Sequence, residues 1–143
     1  MKTIIVIFAS FLLFGSALTV TDVQKAKAAA WIKTKVGGCY SQANRNGPCY
    51  DCSSLVWHAY AQAGFKGLPQ SPDSYPSSNV VYKVKGTSVS DMKVGDVLYQ
   101  KGHVGLYVGD GKIVNAQNPS AGIKMHTVDS YRSWGFNTIY RLR

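Results

Sequence analysis

Two residues of this chain have the types and settings for covalent chemistry. Cys52 stands in Tyr50-Asp51-Cys52-Ser53-Ser54-Leu55-Val56, and His103 opens His103-Val104-Gly105-Leu106-Tyr107-Val108. Asp51 suits the N-cap of a helix from about Cys52 to Ala63, with Leu55, Val56, Ala59, Tyr60 and Ala63 as its apolar stripe and Gly64 as its stop signal. A thiol at such a start meets unpaired backbone N–H groups and the positive end of the helix dipole, both of which favour thiolate. Free cysteine more often packs as a small hydrophobe, so a catalytic reading requires a base.

The histidines are His58, His103 and His126. His58 lies six positions beyond Cys52 on the same helix, about 240° round and roughly 9 Å along the axis, out of reach of the thiol. On the His103 strand, Val104, Leu106 and Val108 are expected to face the core. His103 and Gly105 then look the other way, a polar ring beside a small residue, as an open site would have. The chain turns through Gly109-Asp110-Gly111 and returns through Lys112-Ile113-Val114-Asn115-Ala116-Gln117. A two-residue loop, Asp110-Gly111, puts Asn115 opposite Leu106 on the wrong face. A three-residue loop, with Gly111 left-handed in a G1 bulge, puts it opposite Gly105 and diagonal to His103. The three-residue loop is predicted, with Asn115 as the orienting residue and Gln117 and His126 as its rivals. His103 then takes the proton of Cys52, or holds it as an ion pair, while Asn115 fixes the ring tautomer without adding charge.

The elements that must position these residues read as one α+β domain. At 143 residues and 45% hydrophobic, the chain is long enough for a real core and needs no metal or cofactor to fold. Thr21 or Asp22 caps a first helix through Val23 to Ile32, stopped by Gly37-Gly38. Leu68 to Ser78, with Pro69, Pro72 and Pro76, is expected to be irregular and able to wall a groove. Short β-type runs follow at Asp96 to Gln100, His103 to Val108, Lys112 to Ala116, Gly122 to Thr127 and Thr138 to Leu142. Helices first and strands later predict an antiparallel sheet.

Lys2 precedes an uncharged stretch, Thr3 to Thr21, that passes through Gly15-Ser16-Ala17. This is the pattern of a secretory leader, expected to be residues 1–17 with cleavage after Ala17 and a mature domain of 18–143. An uncleaved membrane anchor is the alternative, and the Gly, Ser and Thr of the second half count against it. Without Lys2 the formal charge falls from +9 to +8. With no nucleic-acid-binding motif or arginine-rich run, that charge suits an anionic envelope polymer or membrane surface better than nucleic acid. Three cysteines in an exported chain imply one pair and one left over. Cys39 and Cys49 flank a segment whose Gly, Pro and Asn can bring them together, leaving Cys52 free. The other pairing, Cys49 with Cys52, would strain the junction of loop and helix.

Three ordered motifs resemble one family: Tyr50 to Val56, Val94-Gly95-Asp96-Val97-Leu98-Tyr99, and Gly102 through Lys112. They are similar to the NlpC-type cell-wall peptidases, a papain-like family of cysteine peptidases, and the likeness runs over essentially the mature chain. It implies N-terminal helices packed on an antiparallel β-sheet, with the nucleophile at a helix start. The implied activity is hydrolysis of peptide bonds in peptidoglycan stems, between D-glutamyl and a diamino acid, through a thioester. Cys52 matches the nucleophile, His103 the base, and Asn115 the third position, where the family often has histidine. Tyr40 matches a tyrosine that lies beside the substrate and assists the oxyanion, and Asp51 an acidic residue that shapes the pocket. Ser53 joins them as a substrate-binding residue, and the Cys52 N–H is the natural second oxyanion donor.

Ser54 departs from the family's usual glycine, and the Cys39–Cys49 pair is an added staple. The resemblance implies a secreted monomer acting on peptidoglycan or muropeptides, with anionic wall polymers as secondary partners. No lasting membrane anchor, nucleic acid or cofactor is expected. An N-acetylmuramoyl-L-alanine amidase or an acyl transferase with the same thioester is an alternative. A non-catalytic wall-binding or antimicrobial protein is another.

Overall fold

Thr21, and not Asp22, starts the first helix. Its hydroxyl accepts the Gln24 N–H while the Gln24 side chain accepts the Thr21 N–H, closing a capping box on α1 (Asp22–Lys33). The computed structural model describes residues 19–143, so the expected leader, residues 1–17, lies outside the described residues. Ala28, Ala29 and Ile32 of α1 are buried against α2 (Cys52–Gln62). The predicted stripe of α2 is the buried one, with Leu55, Val56, Ala59 and Tyr60 fully enclosed. Full burial of a leucine or valine contributes about 1.5–3 kcal/mol, so this seam anchors the helix whose first residue is Cys52. Gly64, at φ +98°, ends it in the left-handed conformation that glycine adopts without penalty.

Six strands form one antiparallel sheet in the order β1-β6-β2-β3-β4-β5. They are β1 (Val81–Lys83), β2 (Val97–Gln100), β3 (His103–Gly109), β4 (Lys112–Asn118), β5 (Gly122–Thr127) and β6 (Thr138–Leu142). Helices packed on this sheet give the α+β, papain-like fold. The proline-rich segment is irregular apart from one 3-10 turn, Pro72–Ser74. The two ends of the described chain meet, because the Val20 N–H donates to the Arg143 carbonyl at 2.8 Å.

Val104, Leu106 and Val108 face α1 and α2 in one core, as their alternation predicts, and Val114 joins them there. The other face is not open. Leu98, Tyr107, Ile113 and Ile139 bury there against Val128, Tyr131 and Phe136, carried by α3 (Val128–Arg132) and the loop after it. The open face expected beside Gly105 is therefore corrected to a second apolar core. Burial on both sides also explains why the interior of β3 is near-continuously apolar. Asp96 is fully buried between the faces, gripped by Arg141 through two 2.8 Å hydrogen bonds, from Nε to Oδ1 and from Nη2 to Oδ2.

The hairpin turn differs from the expected three-residue loop. Gly109 pairs with Lys112, so the turn is Asp110-Gly111 alone, with φ of 54° and 69°, both left-handed as a type I′ turn requires. The next pair is Tyr107 with Ile113, which leaves Val108 as an extra residue in a β-bulge beside the left-handed Gly109. Two loop residues plus one bulged residue shift the register as a three-residue loop would. Asn115 consequently faces Gly105, where a Cβ would stand 3.2 Å from the Asn115 Cβ.

Candidate active site

Cys52 is the first residue of α2, held there by the Asp51 cap. Asp51 Oδ1 accepts the Ser54 N–H at 2.8 Å, and the Ser54 hydroxyl accepts the Asp51 N–H at 3.0 Å. Cys39 and Cys49 are bonded, which leaves Cys52 as the free thiol among the described residues. The staple and the Tyr40–Tyr50 bridge fold the intervening loop back beside the helix start. Tyr40, Arg45, Asp51, Cys52, Ser53, Gln70, Pro72 and His103 line one cleft of about 220 Å³. The expected groove wall is thus formed by the start of the proline-rich segment.

The thiol is 6% exposed, and burial is the dominant influence on it, raising its pKa. The backbone N–H groups of Val104, Ser53 and Cys52 pull the other way, and the nearby Asp51 charge adds to the rise. The help expected from N–H groups at the helix start is present but outweighed by desolvation. Burial likewise pushes the His103 imidazole down to about 4. Burial thus acts on both groups in the same sense, disfavouring the charged form of each.

His103 Nε2 and Asn115 Nδ2 are 2.8 Å apart, and Asn115 is fully buried. Nδ1 is then the ring nitrogen left for the thiol. The rivals for Asn115 pair with each other, Gln117 Oε1 lying 3.0 Å from His126 Nε2. Gln117, and not His126, borders a second opening of about 280 Å³, lined also by Gln100, His103, Asn118 and Trp134. His58 stays apart, with its Nε2 3.1 Å from Asn46 Oδ1 and its ring against Tyr50 and Trp57.

The three residues expected to bind substrate sit around the thiol in different ways. Tyr40 lines the cleft close enough to Cys52 and Asp51 for their charges to raise its pKa further, after burial, the larger cause. Ser53 is 1% exposed and its hydroxyl donates to the Gln70 carbonyl at 2.9 Å. Asp51 Oδ2 accepts from Arg45 Nη1 at 3.1 Å, and Arg45 Nη2 also donates to the Gln70 carbonyl. Arg45 and Gln70 were not anticipated. Arg45 is the single charged residue between Cys39 and Cys49, a signal that points to it in retrospect.

With this geometry in hand, the NlpC/P60 family pattern matches residues 37–140. The chain belongs to the NlpC/P60 family. This NlpC/P60 domain is 36% identical over 114 residues to a peptidoglycan DL-endopeptidase, CwlO, of Bacillus licheniformis, covering 75% of the chain and 24% of that protein. It is 32% identical over 102 residues to a probable endopeptidase of Corynebacterium glutamicum, covering 68% of the chain and 45% of the relative. The chain thus spans less than half the length of these curated relatives. Among solved structures, the NlpC/p60 domain of the peptidoglycan hydrolase SagA superposes with a TM-score of 0.67 at 20% identity, over 82% of this chain and 98% of that one. An NlpC/P60 family protein from Bacillus cereus gives 0.68 at 17% identity, over 87% and 41%. These likenesses carry the fold.

Proposed function

We propose that the chain is a secreted cysteine peptidase that hydrolyses peptide bonds in peptidoglycan stem peptides, between D-glutamyl and a diamino acid, through a thioester. The observation that carries this reading is a free thiol at the N-terminus of α2, sharing a cleft with a histidine whose far nitrogen is held by a buried amide. The family and the names of its curated relatives support a hydrolase acting on peptidoglycan.

In this reading His103 acts as the general base. As Cys52 Sγ bonds to the substrate carbonyl carbon, its proton passes to His103 Nδ1 and the carbonyl oxygen becomes an oxyanion. The Cys52 N–H and the Tyr40 hydroxyl serve that oxyanion. Collapse breaks the C–N bond, and the leaving amine takes the proton from His103. Water, deprotonated by the same nitrogen, then cleaves the thioester and restores the thiol. The acyl half of the substrate lies along the Arg45–Asp51 side. The amine half lies toward Trp134, because the group that receives a proton from His103 must stand on its side of the thiol.

Digestion of defined muropeptides followed by mass spectrometry tests this. New termini at D-glutamate and the diamino acid are expected from the wild type and none from Cys52→Ala, with both proteins folded. Release of intact stem peptide from the glycan would indicate an amidase, and turnover by Cys52→Ala would overturn the mechanism.

A further inference from the structure

Two buried polar atoms behind His103 have no partner: Asn115 Oδ1 and the Tyr131 hydroxyl. Orphaned groups of this kind cost as much as a lost hydrogen bond and are rare in native interiors. The two side chains meet, for a hydrogen-bond-type interaction with Asn115 tempers the rise that burial and Cys52 impose on the Tyr131 phenol, although neither Asn115 Oδ1 nor the phenol completes a well-aligned hydrogen bond. The Tyr131 ring lies 6.1 Å from that of His103 and is walled from water by Phe136 and Trp134, at 5.7 and 5.2 Å between centroids.

The orientation of the Asn115 amide decides what His103 can do. With Nδ2 toward Nε2, the amide can only donate, so Nε2 carries the lone pair and Nδ1 the proton. A protonated Nδ1 cannot receive the proton of Cys52. Half a turn about Cβ–Cγ puts Oδ1 on the Nε2–H, frees the Nδ1 lone pair and swings Nδ2 to where Oδ1 had no partner. Only this orientation serves the imidazolium formed during the reaction, since its Nε2–H needs an acceptor. The Tyr131 oxygen can accept from the displaced Nδ2, which gives both polar atoms of the Asn115 amide a partner.

We propose that Tyr131 is a positioning residue for the Cys52–His103 pair: its phenol oxygen accepts an Asn115 Nδ2–H and so holds Oδ1 on the His103 Nε2–H. The proposal rests on the reading of Cys52 and His103 as a catalytic pair, but its first test needs no turnover. Nitrogen-15 NMR of the His103 ring in Cys52→Ala protein is expected to show the Nε2–H tautomer, shifting toward Nδ1–H when Tyr131→Phe is added. A predominant Nδ1–H ring in Cys52→Ala, or a tautomer ratio indifferent to Tyr131→Phe, overturns the proposal. In otherwise wild-type protein, Tyr131→Phe keeps the ring and its packing. It is expected to lower kcat about tenfold, the rate equivalent of one hydrogen bond, with KM held within about twofold. In an Asn115→Ala background the same substitution should change kcat by less than about twofold. An equal loss in both backgrounds would show a merely structural tyrosine and also overturn the proposal. If no variant or wild type cleaves any muropeptide, the peptidase reading fails, while the tautomer measurement still decides the role of Tyr131.

Discussion

Gly105 and Asn115 face each other across the β3–β4 hairpin with no space for a methyl group between the strands. A Cβ on Gly105 would stand 2.6 Å from Ile113 Cδ1 and 3.2 Å from the Asn115 Cβ. Ile113 is fully buried in the second core, so it can yield only by disturbing its neighbours. Gly105→Ala is expected to destabilise the domain by about 1–3 kcal/mol and to push Asn115 off His103. Urea unfolding gives the first quantity and the His103 ring resonances the second; unchanged values for both would show that the hairpin absorbs the methyl group.

The buried imidazole makes stability depend on pH with a definite sign. In the unfolded chain His103 binds a proton near pH 6.5, whereas in the native state burial holds it neutral down to about 4. The unfolded state therefore carries more protons between those values, and native stability falls as pH drops through that window. Allowing for the ring's partial exposure, the loss is roughly 2 kcal/mol. His58 and His126 are shifted in the same direction. Comparing urea midpoints at pH 7 and 4.5 should show a smaller loss for His103→Gln than for wild type, with the other two histidines accounting for the remainder.

How much of this was legible in the chain depends on how local each interaction is. The Asp51 cap and the start of α2 were readable because cap, nucleophile and stripe lie within a few residues of one another. The face of Asn115 was readable because parity depends only on the total number of residues between paired positions. The turn type was not, since a two-residue turn plus a bulged Val108 gives the same parity as a three-residue loop. The second core was hidden for another reason. It is supplied by Val128, Tyr131 and Phe136, separated by Asp129, Ser130 and Arg132 and by a bend, too short a run for any period to register. The Arg45–Asp51 pair exists only once the disulfide has closed the loop. The depth of the thiol, whose desolvation outweighs the N–H groups at the helix start, is a property of everything packed around it.

The Cys39–Cys49 staple should matter to substrate capture more than to chemistry. It closes the loop that carries Tyr40 and Arg45, and removing such a link costs about 2–4 kcal/mol. In Cys39→Ala/Cys49→Ala protein, calorimetry should show that destabilisation, and muropeptide kinetics should show KM rising by a larger factor than kcat falls. The opposite split would place the loop's role in the chemical step.

Arg141 tests the scaffold apart from the cleft. Replacing it with Met leaves the Asp96 carboxylate buried without its cation, a loss of about 3–5 kcal/mol. Neither residue lines the cleft of Cys52, so at low temperature kcat per folded molecule is expected to match wild type while the unfolding midpoint drops. A kcat lowered in proportion to stability would show that the two faces of the sheet are coupled.

The hydrogen bond from Val20 to the Arg143 carbonyl brings the entry and exit of the described chain together on one patch of surface. A domain whose ends coincide can be rewired: a short peptide joining Arg143 to Thr19, with the chain reopened at the exposed Lys85–Gly86 step, would preserve every strand pairing in a new connectivity. In such a permutant β2 through β6, with α3 among them, would be made first, and α1, α2 and β1 after them. The helix that presents Cys52 would then dock onto a sheet already carrying His103 and Asn115.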